Sequence, residues 1–157
     1  MGSLWRWTVP LGPVTAAVLL LAACQSSSAT RGDLRTAREQ LDRIHAESFG
    51  KVVGRGSFGS AGVSGSRPTA FVAVQTDTAA APLMSIIGDR MQRAGFSPFF
   101  SCRPPAACGW ERRTDNTLIT AYAVVKTDGQ PWGEESTAHG TVAPGARVLQ
   151  LSMTVGG

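Results

Sequence analysis

Residues 147–155 read Arg147-Val148-Leu149-Gln150-Leu151-Ser152-Met153-Thr154-Val155, and this stretch decides the fold. Leu149, Leu151, Met153 and Val155 alternate with Val148, Gln150, Ser152 and Thr154. A period of two sends one set of side chains to a core and the other away from it, the mark of a strand half-buried in a sheet. Working backwards, Thr117 to Lys126 repeats the pattern, with Ile119, Ala121, Ala123 and Val125 on one face. Thr114-Asp115-Asn116 is a turn signal, and Gly109 to Arg113 before it reads as another strand. Phe96 to Cys102 and Ala70 to Gln75 are two more, so the sequence predicts a sheet of four to five strands.

Between Gln75 and Phe96 the period changes. Leu83, Ile86, Ile87, Met91 and Ala94 recur three and four apart, which makes one face of a helix apolar. Asp77 or Thr78 suits its N-cap, Pro82 is tolerable in the first turn, and Gly95 ends it. A second helix is predicted over 33–48, where Leu34, Ala37, Leu41 and Ile44 form a stripe. Arg35–Glu39, Arg38–Asp42 and Glu39–Arg43 pair four apart on its other side, and Gly50 is a natural stop. Four apolar positions fall short of the heptads a coiled-coil stalk needs, so this helix is expected to pack on the core. The fold class is α+β: two layers, a mixed or antiparallel sheet with two helices.

Residues 54–68 are rich in Gly and Ser and read as a linker or a Gly-rich strand pair, with Val52-Val53 as a short strand before them. They contain Gly54-Arg55-Gly56-Ser57-Phe58-Gly59, which fits a dinucleotide-loop spacing. That loop must open a helix, and the continuation Ser60-Ala61-Gly62-Val63-Ser64-Gly65 is a poor helix, so the match is accidental. Residues 127–146, with Gly129, Pro131, Gly133, Gly140, Pro144 and Gly145, read as a long loop. Beyond the first 23 residues three parts follow: a short polar segment over 24–32, a helix and Gly/Ser-rich segment over 33–68, and a compact α+β module over 69–157.

The chain has 157 residues, enough for one domain, and its 43% apolar content excludes wholesale disorder. No apolar span long enough for a membrane helix lies beyond the N-terminus, which excludes a multi-span protein. The formal charge of +4 is spread along the sequence and gives no sign of a nucleic-acid partner, though it permits weak attraction to anionic lipid or cell-wall polymer.

The N-terminus is an address. From Trp7 to Ala23 there is no charge, and Pro10 and Pro13 break the run, which suits a secretory signal better than a membrane helix. It closes on Leu21-Ala22-Ala23-Cys24, followed by Gln25-Ser26-Ser27-Ser28. These residues resemble the lipobox of bacterial lipoproteins. The resemblance covers the first 24 residues only. It implies a signal peptide over 1–23, a diacylglycerol on the Cys24 sulfur, cleavage before Cys24, and a chain held at the cell membrane or outer membrane on its extracytoplasmic side. Two or more acyl chains hold a protein stably where one does not. Residues 25–32 are small and polar and read as a flexible spacer.

With Cys24 assigned to the lipid, Cys102 and Cys108 remain, an even pair in an oxidising compartment, and a disulfide is expected. Closing so short a loop contributes about 2 kcal/mol. The spacing is not Cys-x-x-Cys, and zinc would need both His45 and His139 as further ligands, so no metal or cofactor is expected.

Catalytic equipment is thin. Glu134, Glu135, Ser136 and His139 are the only local cluster suited to acid–base work, in no Gly-x-Ser-x-Gly or His-Glu-x-x-His setting. Binding residues are easier to nominate: Trp132, set between turn formers in the long loop, and Trp110 with Arg112 and Arg113 beside the disulfide. The expected function is a non-catalytic binding or assembly role for a membrane-anchored envelope lipoprotein, its partner an envelope protein or component. A carrier or sensor of an apolar small molecule, and a small hydrolase using His139, are the alternatives.

Cys24→Ser is expected to release the protein from membranes or leave an unprocessed precursor. Mass spectrometry finding an unmodified Cys24 inside the mature wild-type chain would end the lipobox assignment.

Overall fold

The computed structural model describes residues 31–59, 67–103, 107–134 and 137–156. The lipobox, Cys24 and the Pro104-Pro105 turn lie outside the described residues, as do Glu135 and Ser136.

Among the described residues, eight strands and two α-helices make up the fold. The strands are β1 (Lys51–Phe58), β2 (Thr69–Gln75), β3 (Ser97–Arg103), β4 (Ala107–Thr114), β5 (Thr117–Lys126), β6 (Pro131–Gly133), β7 (His139–Thr141) and β8 (Val148–Gly156). The helices are α1 (31–43) and α2 (Ala80–Arg93), with a 3-10 turn at Ala46–Phe49. Six strands form one sheet in the order β1-β2-β8-β5-β4-β3, and β6 pairs with β7 apart from it. Every neighbouring pair is antiparallel. β2 and β3 therefore run the same way, three strands apart, and α2 carries the chain between them.

The alternation of 147–155 is realised in β8. Leu149, Leu151, Met153 and Val155 are buried on the face toward the helices, with Ala121 and Ala123 of β5, Val72 and Val74 of β2, and Trp110 of β4. Ala37 and Leu41 of α1, Ile44 in the turn after it, and Leu83, Ile87 and Met91 of α2 close the same core from above. The helical segment before β1 thus shares one core with the module after it.

Several expectations need correction. The sheet has six strands rather than four to five, because the Gly-rich segment contributes β1. It pairs with β2 from Lys51↔Gln75 to Phe58↔Thr69, with a bulge between Val52 and Gly54. The segment expected to be a long loop contains the short β6–β7 hairpin. α2 begins at Ala80 without a side-chain cap, and Thr76 Oγ1 instead accepts from the Thr78 N–H at 3.2 Å. On α2, Met84 takes the core place expected for Ile86, which is 42% exposed.

α1 stops at residue 43, short of the expected 48, because His45 is left-handed (φ 53°) and breaks the turn. The bent end is held from α2. Nη1 of Arg90 lies 2.8 Å from Ile44 O, 3.0 Å from His45 O and 2.8 Å from Ser48 Oγ, with the guanidinium 4.4 Å from the Phe49 ring centre. A cation at the C-terminal carbonyls of a helix meets the negative end of its dipole. Below it Arg55 pairs with Asp42 at 2.9 Å and with Glu47 at 3.7 Å. A backbone hydrogen bond, helped by His45 and Arg55, holds the Glu47 carboxyl below its ordinary pKa.

The expected disulfide is present between Cys102 and Cys108. Two register shifts in β3, one between Pro98 and Phe100 and one between Phe100 and Arg103, each add a residue to that strand. With Arg103 opposite Ala107, Cys102 falls directly across from Cys108, Cα to Cα 4.4 Å. That is the spacing of a non-hydrogen-bonded antiparallel pair.

Arg90→Ala is expected to cost about 2 kcal/mol, because carbonyls at the end of α1 lose a charged donor. Urea unfolding should show a lower midpoint with an unchanged slope. An unchanged midpoint would mean that solvent replaces the arginine.

Candidate functional site

The face of the sheet away from the helices is divided. Over β1 and β2 it is covered by the β6–β7 hairpin, and over β4 and β5 it is bare of any other described segment.

Trp132 pins the hairpin down. Its ring lies flat on two glycines: a methyl at Gly54 would come within 2.5 Å of Cζ3, and one at Gly140 within 2.7 Å of Cζ2. Only residues without a Cβ permit this approach. Ala73, Val142 and Val148 are buried beside the indole, with Val53 and Ala146 packed around them, in a second small core. The Gly133 N–H donates to Gln150 Oε1 at 3.0 Å and ties the hairpin to β8. Trp132 is therefore half-buried rather than held out on a loop.

Trp110 is 3% exposed and belongs to the main core. Arg112 lies on the helix side as well. Its Nη1 donates to Ala94 O at 2.9 Å, at the end of α2, and the guanidinium sits 4.8 Å from the Phe96 ring centre. Burial, with Arg43 nearby, lowers its pKa, though a guanidinium stays charged. Arg112 Nε and Gln40 Oε1 are the buried side-chain atoms without partners among the described residues, one donor and one acceptor. Arg113, one residue on, is exposed on the opposite face. The structure thus does not gather the four nominated binding residues: Trp110 and Arg112 share the helix side, Arg113 faces solvent, and Trp132 lies in the hairpin.

His139 is exposed in β7, opposite Gly133. His45, in the turn after α1, contacts Glu47 at 3.3 Å. Among the described residues, no three His, Cys, Asp or Glu side chains gather closely enough to hold a metal ion. No described helix is long and apolar enough to cross a membrane.

The bare half carries what the sequence did not disclose. Phe99, Phe100 and Tyr122 are 46%, 42% and 42% exposed, three of the four exposed large hydrophobics among the described residues. Phe99 and Tyr122 meet edge to face, centroids 5.6 Å apart. Successive residues of a regular strand point to opposite faces. The register shift at Pro98/Phe100 instead brings both phenylalanines over Gly109, where a methyl would meet Phe100 Cβ at 3.0 Å and Phe99 Cζ at 3.1 Å. The available signals were Tyr122 at an outward position of β5 and a glycine inside β4.

No family model, curated protein or solved structure matches the chain. The site therefore rests on its own chemistry: three aromatic rings supply contact area with few rotatable bonds and one phenol for a polar contact.

Trp132→Ala is expected to lower stability by about 2–3 kcal/mol, because it opens a cavity over Gly54 and Gly140. Thermal unfolding measures this. An unchanged melting temperature together with a lost binding partner would return Trp132 to the role of contact residue.

Proposed function

We propose that the protein is a lipid-anchored envelope lipoprotein that works by binding another envelope protein or component, without catalysing a reaction. The lipobox resemblance at Leu21-Ala22-Ala23-Cys24 supports the location. The exposed cluster of Phe99, Phe100 and Tyr122 carries the binding role. Aromatic side chains are enriched at the energetic centres of interfaces, and clustered apolar exposure on a folded domain marks an interaction site. The rings are seated on a rigid sheet and fixed against Gly109, so little ordering remains to be done when a partner arrives. A surface is favoured over an internal carrier site because Met91, Trp110, Leu151 and Met153 fill the space between helices and sheet as one continuous core.

Phe99→Ser combined with Tyr122→Ser is expected to weaken capture of the membrane neighbour about tenfold or more while barely moving the melting temperature. In-membrane crosslinking of wild type and variant provides the comparison. Equal crosslinking yields from a folded variant would remove the patch from the interface.

A further inference from the structure

We infer that the end of the bare sheet face where the chain enters the fold binds the phosphate of an anionic lipid headgroup, through Arg67 and Arg113. This rests on the membrane location proposed above and adds to it a second, non-covalent contact with the bilayer.

The register builds the site. Arg113 of β4 pairs with Leu118 of β5, and Leu118 pairs with Gly156 of β8, so the three form a row across the sheet. Arg67, just before β2, completes the row by lying flat over Gly156. A methyl there would stand 2.6 Å from Nη1 and 2.9 Å from Cζ of Arg67. The glycine lets this guanidinium reach inward from β2 toward Arg113. Between them is an open hollow of about 440 Å³, lined also by Asn116, Thr117 and Leu118.

The two arginines differ from the others that hold the fold together. Arg55 is matched by Asp42 and Glu47, Arg90 by the end of α1, and Arg112 by the end of α2. Arg67 and Arg113 have no acidic partner within 4.0 Å among the described residues. Two guanidinium forks over a hollow fit the non-bridging oxygens of a phosphodiester. Asp115, at the tip of the β4–β5 turn, lines the same hollow and opposes an anion.

The position points to lipid. Arg38 of α1 contacts Ser57 of β1, and Asp42 contacts Arg55, so α1 runs antiparallel to β1. Residue 31 therefore lies beyond the Phe58 end of β1, the end of the sheet that also carries Arg67 and Arg113. Cys24 is seven residues earlier, a reach of at most about 25 Å. A lipid on Cys24 confines this end of the domain near the headgroups. Tyr122 lies four residues along β5 from Leu118, about 14 Å away, so binding here keeps the aromatic patch clear of the bilayer.

The test uses the full chain, purified from membranes and reconstituted into vesicles of phosphatidylcholine alone, of phosphatidylcholine with phosphatidylglycerol, and of phosphatidylcholine with added inorganic phosphate. Hydrogen exchange at residues 114–118 and at Gly156 is the readout. Protection is expected only with phosphatidylglycerol. It should be lost in Arg67→Gln and in Arg113→Gln, whose circular dichroism should match wild type, and strengthened in Asp115→Asn. No protection by phosphatidylglycerol, or equal protection by inorganic phosphate, overturns the inference. The anchor fails separately: an unlipidated chain would not float with vesicles of phosphatidylcholine alone, and mass spectrometry of Cys24 would show it. In that case the same exchange experiment with soluble dihexanoylphosphatidylglycerol decides the arginine site, with no protection again overturning it.

Discussion

β8 hydrogen-bonds to β2 on one side and β5 on the other, so among the described residues it alone joins the two halves of the sheet. Its inward residues Leu149, Leu151 and Met153 are fully buried, and neither helix has a continuous surface to pack on until β8 is in place. Most of the sheet's pairing is therefore non-local, which makes folding slow relative to a helical protein of this size. The outward residues of the same strand organise the other face. Gln150 anchors the hairpin, Ser152 is paired with Tyr122 at the aromatic patch, and Gly156 seats Arg67.

Close approach to the backbone is the recurring device on that outer face. The indole of Trp132 lies on Gly54 and Gly140, the ring of Phe71 over Gly56, the two phenylalanines over Gly109, and Arg67 over Gly156. A flat ring or guanidinium on a glycine contacts the sheet without the standoff that a Cβ imposes. Gly inside a strand weakens it. Here the loss is offset by the packing of the large group laid on top, so each glycine and its cover act as a unit. Substituting the glycine displaces the cover, and truncating the cover exposes bare backbone.

This device explains what could and could not be seen in the sequence. β5 was legible to the residue over Thr117–Lys126, and β8 within one, because one face of each is buried by the core and the period survives. The disulfide followed from the cysteine count and the expected compartment alone. β1 was not legible, since glycines placed for Trp132 and Phe71 look the same as glycines in a linker. Trp132 was legible as an unusual residue, but its surrounding turn formers gave no hint that it folds back over β1. The aromatic patch depended on a bulge in β3 that no periodicity reports. Ile86 and Met84 changed places because the face of α2 turned toward the core is chosen by the sheet, and helical spacing admits both.

Arg112 and Arg113 show how register assigns chemistry. They are neighbours in sequence and opposite in fate. Arg112 points to the helices, closes the end of α2 and lies against Phe96, while Arg113 points to solvent beside Leu118. A slip of one residue between β4 and β5 would exchange them. It would turn Arg112 out to solvent, away from Ala94 O and Phe96, and turn Arg113 in toward the helices. Trp110 resists that slip, because it sits two residues from Arg112 on the same face and has a place only in the core. The disulfide resists it from the other end, since Cys108 must stay opposite Cys102. Two constraints that belong to stability, a buried indole and a cross-strand bond, thereby fix which arginine of an adjacent pair faces solvent.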